Sequence, residues 1–558
     1  TPGTLLDQRD LATTPGMVWG DRRMLAFLMG CVLAGATGPE QSADTVVICP
    51  SDFLPAMRPW ITHRQAQGHR IAVRPSGTAS QIRASIRQVA KAGQLQYVLL
   101  VGDVSRKTDP LHVPTHLAKA YVNVRWGSEP EIATDNWYAD LDDDDLPDLA
   151  IGRLPAANLE HLRNMLTKIL EYETSSDHGE WRRRINLIAG VGGFGSLVDS
   201  VLELTTRKFL TDGVPDSYAT HMTYGSWQSP YCPAPSRFDN AVIERFNEGC
   251  LFWIYMGHGQ RTFLDRVQVP GRSYHIFGKQ DVARLAPGRA APIAIFLACY
   301  TAAFDGPQEC LGEVMVRAKN GPVAVLGGTR VTMPYGMAVL ATGLMDQLFQ
   351  ERRTSLGQIL LHAKRTLAKP PTKTTNGSQA TTRQLLDALA VAFASSPELL
   401  AAERREHLQL INLLGDPLLR IRQPHRIHID APKMARSGGL ISLKLHSEIA
   451  GMCSVELVCR RGQMRNPAPT RPVYVATPAV LSRYDRTYQD ANLPTWSRQQ
   501  FAIAAGSSDV KLEVPAAARG ACQLRVYIAG EKAHALGTSD VFANLPAATP
   551  DRQGSSRT

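Results

Sequence analysis

Short apolar runs that recur between amphipathic stretches constrain this chain more than any other feature. Thr45-Val46-Val47-Ile48-Cys49 reads as a buried strand, Phe53 to Gln67 as a helix closed by Gly68, and His69 to Arg74 as a second strand. Gln81 to Lys91 reads as another helix and Gln96 to Gly102 as a third strand. Strands apolar on both faces and separated by helical periods predict βαβ units and a parallel sheet. A linker with Pro110, Pro114 and Pro130 leads to Asp148 to Pro155 and a predicted helix from Leu159 to Glu173. The alternation then resumes, with strands over 184–190, 218–223, 251–256, 292–298 and 322–327 and helices over 197–211, 239–247 and 309–318. Further helices follow to about residue 414.

Beyond that point the pattern changes. Arg426 to Ile429, Ile441 to Leu445, Ser454 to Val458, Val473 to Val475, Val510 to Val514 and Gln523 to Ile528 are short alternating segments separated by Gly and Pro. This spacing predicts a β-sandwich of immunoglobulin type. The expected organisation is an α/β subdomain over 44–156, a second over 157–423, the sandwich over 424–546 and a polar tail over 547–558. Lys369 to Thr382 is a Pro/Thr/Asn/Gly loop with the character of a protease-sensitive segment.

With 558 residues, 44% apolar and 20% charged, the chain holds several packed units and is neither fibrous nor largely disordered. The net charge is +10, but the basic runs Trp181 to Arg184 and Glu403 to Arg405 carry no interleaved aromatic platform, so no nucleic-acid partner is expected. No apolar run reaches about 18 residues, which excludes a polytopic membrane protein. Arg22-Arg23, the apolar stretch Met24 to Leu33 and Ala34-Gly35-Ala36 follow the order of a secretory signal. Residues 1–36 are therefore read as an upstream extension plus signal peptide, with soluble export to the periplasm, cell envelope or medium of a bacterial-type cell. Lipoprotein anchoring at Cys31 is the alternative. The other eight cysteines show no zinc spacing. Cys232 with Cys250, and Cys522 with Cys453 or Cys459, are the candidate disulfides if export exposes them to oxidation.

Two segments carry a reactive side chain just past a buried strand. Phe252 to Met256 is followed by Gly257-His258-Gly259, and Ile293 to Ala298 by Cys299. The carboxyl ends of neighbouring parallel strands face one crevice, so His258 and Cys299 can meet there although 41 positions apart. An imidazole that takes a thiol's proton and returns it to a leaving amine performs amide-bond chemistry without a cofactor.

These blocks, apolar run with His-Gly and apolar run with Ala-Cys, resemble the caspase-like cysteine peptidases, and the wider context resembles the gingipain family, peptidase family C25. The resemblance covers about residues 44 to 424. It includes VVICPSDFLPAMRPWITHRQAQGHRIAV, YVLLVGD, DLAIGRLPA, YMGHG, FLACYTAAF, ECLGEVMVRAKNGPVAVLGGTR and NLLGDPLLRI. It implies a caspase-like α/β fold followed by a β-sandwich, polypeptide substrates, Cys299 as nucleophile, His258 as general acid/base, and an oxyanion hole from the backbone N–H groups of Gly259 and Cys299. Some gingipains orient the histidine with a glutamate in an Ala-Glu-Gly-Gly turn, whereas this chain reads Ala189-Gly190-Val191-Gly192-Gly193. Either the dyad works alone, or another carboxylate or a backbone carbonyl orients His258. The long prodomain of secreted gingipains has no counterpart between the proposed signal and the first strand. A sortase-like transpeptidase and a catalytically silent adhesion protein are the competing readings.

In arginine-specific members an aspartate near the Gly-Gly turn binds the guanidinium. Asp199 is the nearest candidate here and Asp265 the reserve, with Met256, Leu297 and the Thr332 to Tyr335 segment lining the pocket. Asp140 to Asp148 places Asp140, Asp142, Asp144 and Asp148 at positions 1, 3, 5 and 9 of an EF-like turn, where hard oxygens suit a structural calcium ion. Position 6 is Asp145 rather than Gly and position 12 is Ile151 rather than Glu, so a solvated acidic loop is the other reading.

Overall fold

A computed structural model describes residues 42–104, 111–191, 213–369, 397–471 and 473–544, together with single positions between 384 and 391. The first half begins with β1 (Thr45–Ile48), α1 (Leu54–Ala66), β2 (Ile71–Arg74), α2 (Ala79–Ala90) and β3 (Tyr97–Val101), close to the predicted bounds. Helix α2 starts at a capping box in which the Gln81 N–H donates to Thr78 Oγ1 and the Thr78 N–H to Gln81 Oε1. Then come β4 (Ala150–Leu154), α3 (Leu159–Thr174), β5 (Arg184–Ala189), β6 (Ala219–Tyr224), α4 (Phe238–Asn247), β7 (Phe252–Met256) and β8 (Ile293–Leu297). The layer closes with α5 (Leu311–Arg317), β9 (Ala324–Gly328), α6 (Pro334–Met345), α7 (Leu356–Ala368), α8 (Pro397–Leu410) and β10 (Ile411–Leu414). The helix expected over 197–211 and all but the first residue of the Lys369 to Thr382 loop lie outside the described residues.

The ten strands form one sheet in the order β2-β1-β3-β4-β10-β9-β8-β7-β5-β6. Every neighbouring pair is parallel except β10 with β9, so two five-stranded parallel halves run in opposite directions and meet at one antiparallel seam. Strand β10, from the far end of the expected second subdomain, belongs by direction to the first half.

Buried ions tie α1 to the end of α3 and to the segment after β10. Arg64 and Asp416 are 0% exposed, with Arg64 Nη2 2.6 Å from Asp416 Oδ2 and Arg64 Nη1 2.7 Å from Glu173 Oε2. Trp60 Nε1 also donates to Asp416. Burial by itself would raise the Glu173 carboxyl, and Arg64 with hydrogen bonds from His63 and Gln67 more than reverses this, leaving it below the usual carboxylate range.

The sandwich is built on β11 (Gly439–Ser447), β12 (Gly451–Cys459), α9 (Pro478–Ala491), β13 (Thr495–Ile503), β14 (Gly506–Val514), β15 (Gly520–Ala529) and β16 (His534–Asn544). One sheet runs β16-β15-β12-β13, and β11 pairs with β14 in the other. Cys453, Val455 and Leu457 pack in the same core as Ile441, Leu443 and Leu445. The expected strand Val473 to Val475 is not formed, and helix α9 follows it. Tyr484, Thr487, Tyr488 and Ala491 are its buried face, a helical period that the short-strand spacing on either side obscures.

That helix lies against the open edge of the large sheet. The Met222 N–H of β6 donates to Asn492 Oδ1 at 2.8 Å and Asn492 Nδ2 donates to the Met222 carbonyl at 2.9 Å, so one side-chain amide occupies the place of a further strand. None of the eight described cysteines is bonded to another; Cys232 and Cys250 are separately buried free thiols, and Cys459 faces Cys522 across β12 and β15 unlinked.

Removing Asp416 strips Arg64 of one buried counter-charge. Asp416→Ala should lower unfolding free energy by about 3 to 5 kcal/mol in urea titrations. The Glu173 contribution is present above the ordinary carboxylate value near pH ~4.3 and is lost as pH falls through the depressed folded value, so Glu173→Gln should flatten the acid limb of stability against pH.

Candidate functional site

Strand register builds the site. Ala189 of β5 pairs with Met256 of β7, and Met256 pairs with Leu297 of β8, so the three strands end in line. His258 and Cys299 each follow their strand's last residue by two positions, which sets them just past the ends of adjacent strands, whose spacing in a sheet is about 4.8 Å. A Cβ built on Gly259 would lie 2.4 Å from the Cys299 carbonyl oxygen and 2.9 Å from Ala298 Cβ. Only glycine admits so close an approach. The Gly259 and Cys299 N–H groups find no acceptor among the described residues, which leaves two donors beside the thiol.

Cys299 is partly exposed, while the other seven described cysteines are buried. Burial pushes the thiols of Cys49, Cys232, Cys250 and Cys453 up to about 12. The Thr332 N–H, on the segment after β9, donates to Cys299 Sγ at 3.3 Å. Directly after the cysteine, Tyr300 adopts φ 57°, a left-handed conformation rare for a bulky residue. Its hydroxyl donates to Glu129 Oε2 at 2.8 Å, and Arg261 pairs with Glu129 at 2.8 Å. Glu129 and Tyr300 thus hold the turn that presents Cys299, and neither stood out in the sequence because the contact spans 171 residues.

A cleft of about 950 Å³ opens from Cys299. Met256 and Leu297 line it together with Thr332, Met333 and Pro334; Tyr335 is outside this wall, its hydroxyl donating to Asp387 and accepting from Arg404. The sandwich contributes the far end through Glu456, Arg461, Arg498 and Arg525. The carboxylates of the described wall, Glu180, Glu248 and Glu456, are all paired with arginines. Asp199 lies outside the described residues. Asp265 is not among the described residues of the wall; it packs behind it, beside Gly190 and Tyr255.

In the acidic loop, Asp140, Asp142 and Asp148 bring carboxylate oxygens within 4.8 Å of one another, the hard-donor chemistry calcium takes. Asp144 is not in that group, and its Oδ1 accepts the Leu146 N–H at 2.8 Å. Burial, together with the like charges of Asp142 and Asp144, raises the Asp148 carboxyl, a strain that a cation would relieve. Arg83 competes, reaching Asp140 at 3.3 Å and Asp143 at 2.8 Å.

A parallel-sheet core with an imidazole and an accessible thiol on neighbouring strand ends, followed by a β-sandwich, defines a caspase-like architecture. The chain belongs to peptidase family C25, whose profile matches residues 38–422. Lys-gingipain of Porphyromonas gingivalis is 24% identical over 297 residues, 51% of this chain and 15% of that protein. The match thus spans about a sixth of that relative's length. The solved structure of the Arg-specific cysteine proteinase gingipain R aligns over 91% of this chain and 99% of its own, with a TM-score of 0.50 and 17% identity. The complex of the pro- and mature domains of the Porphyromonas gingivalis enzyme aligns at 0.51, also at 17% identity.

Because one described thiol is accessible and seven are buried, brief treatment of the folded protein with iodoacetamide should label Cys299 before any of the other seven described cysteines, as read by peptide mapping and mass spectrometry.

Proposed function

We propose that the protein is a cysteine endopeptidase. The carrying observation is the in-line ending of β7 and β8, which juxtaposes His258 with the accessible Cys299. In this reading the imidazole takes the Cys299 proton, and the thiolate attacks the carbonyl carbon of the scissile peptide. The oxyanion is received by the Gly259 and Cys299 N–H groups, each such donor being worth about 3 to 4 kcal/mol of barrier. The imidazolium returns the proton to the departing amine as the C–N bond breaks. Water, deprotonated by the same imidazole, then hydrolyses the thioester and frees the thiol. Cys299→Ala should lower kcat on a peptide substrate by about 10³-fold or more with an unchanged Tm, and His258→Ala by nearly as much. Turnover near wild type in Cys299→Ala would remove this mechanism, and product analysis with added amines separates hydrolysis from transpeptidation.

For specificity we propose a long unbranched side chain before the cleaved bond, arginine preferred. The thioethers of Met256 and Met333 suit an aliphatic stem, and Asp199 supplies the carboxylate to a guanidinium. A peptide library profiled with wild type and Asp199→Asn should show arginine preference that falls at least tenfold in the variant. An apolar preference in wild type would reject the pocket while leaving Cys299 and His258 in place.

Export under the segment Arg22 to Ala36 is part of the same reading. We further propose a structural calcium ion held by Asp140, Asp142 and Asp148, apart from the chemical steps. Chelation should lower Tm, and Asp142→Ala should abolish that difference. An unchanged Tm would reduce the loop to a solvated acidic turn paired with Arg83.

A further inference from the structure

We infer that Asp265 is the positioning residue for His258, the carboxylate that fixes the orientation of the imidazole. The inference rests on the reading of Cys299 and His258 as a working pair.

The geometry begins with the chain returning on itself. Gly259 and Leu264 form an antiparallel bridge, and the Gln260 N–H donates to the Phe263 carbonyl at 2.9 Å. Continuing that register by one residue sets His258 opposite Asp265, and directly opposed residues of an antiparallel pair project their side chains to the same face. Tyr255 pins both residues: its hydroxyl donates to the His258 carbonyl at 2.7 Å and accepts the Asp265 N–H at 3.4 Å.

The carboxylate is half used. Asp265 Oδ1 accepts the Arg266 N–H at 2.7 Å, whereas Oδ2 is buried beside the Val191 backbone and has no side-chain hydrogen-bond partner among the described residues. A Cβ built on Gly190 would lie 3.4 Å from that oxygen and 2.7 Å from the Tyr255 hydroxyl, so glycine keeps this space open. The turn after Ala189 offers Gly190 and Val191 and no carboxylate of its own. A buried acceptor with a free lone pair, one register step from an imidazole, calls for a ring N–H.

The electrostatics agree. Burial raises the Asp265 carboxyl, while the Arg266 backbone, the charge of His258 and the Val191 backbone draw it down. Burial prevails and leaves the carboxyl raised, and the charge of His258 is among the influences that favour its ionised form. Other charges stay away: the Arg266 guanidinium turns to Ser273, burial keeps Tyr255 protonated, and no lysine or arginine forms an ion pair with Asp265 among the described residues.

The test uses the full chain carrying Asp265→Asn or Asp265→Glu, with peptide hydrolysis and Cys299 alkylation by iodoacetamide both measured against pH. Loss of the carboxylate withdraws the group that holds the proton on the imidazole. In Asp265→Asn, kcat should fall roughly 10- to 100-fold with KM within about twofold, as when a working imidazole loses the group that orients it. The basic limb of the hydrolysis profile should move to lower pH, the pH profile of Cys299 alkylation should shift as well, and Asp265→Glu should restore part of both effects. Unchanged kcat and limbs in Asp265→Asn would overturn the inference. So would equal loss in both variants together with a lowered Tm and unmoved limbs, which marks a purely structural role. Activity surviving in Cys299→Ala would instead overturn the underlying peptidase reading, and the alkylation profile reports on the Asp265–His258 coupling even then.

Discussion

Three parallel strands that stop at the same level set the conditions for everything at the site. Register alone brings Ala189, Met256 and Leu297 into one row, and the chain leaving each strand then crowds its neighbour. A Cβ on Gly257 would come within 3.0 Å of Gly190 Cα, just as one on Gly259 would collide with the Cys299 carbonyl. Three glycines therefore serve one purpose: they let backbones touch where side chains would have held them apart. The two free N–H groups beside the thiol follow from that crowding, because a backbone pressed against a strand end cannot also pair in the sheet.

The reactive turn is held by elements distant in the chain. Tyr300 in the left-handed region stores about 1 to 3 kcal/mol of backbone strain, which the surrounding packing must offset. Glu129 lies in the connection between β3 and β4 and reaches the turn from outside β7 and β8. Across the molecule, Arg64, Glu173 and Asp416 weld α1, α3 and the segment after β10 at a buried site. Such ions are weak stabilisers in sum, yet removing one alone leaves the others uncompensated. The junction of α1, α3 and the segment after β10 is thus fixed by partners that fit only when all are present.

Much of this was legible in the residues. The apolar runs are strands because a strand buried on both faces has no polar side to show, and Thr45, Tyr97, Arg184, Phe252 and Ile293 open strands within two residues of the expected positions. His258 and Cys299 were readable because strand ends of a parallel layer converge. What escaped depends on direction and distance. The apolar content of Ile411 to Leu414 does not encode whether the strand runs up or down, so the opposed halves were invisible. Helix α9 hid among β-segments, and Asp265, seven positions after His258, was weighed as a substrate ligand because its burial beside Gly190 exists only in three dimensions. Asp144 fits an alternate-residue pattern, but turn geometry directs it to the Leu146 N–H instead.

The Asn492 amide on Met222 bears on how the chain is made. The two partners are 270 residues apart, and β6 is an outer strand of the layer that carries the thiol. During synthesis, the large sheet emerges well before the residue that seals its border. For that interval its outermost strand presents bare amides and carbonyls, the surface on which chains join edge to edge. The sandwich therefore completes the large sheet as a late-arriving terminator, and holding the nascent chain unfolded until its end has emerged would keep that border from finding a wrong neighbour.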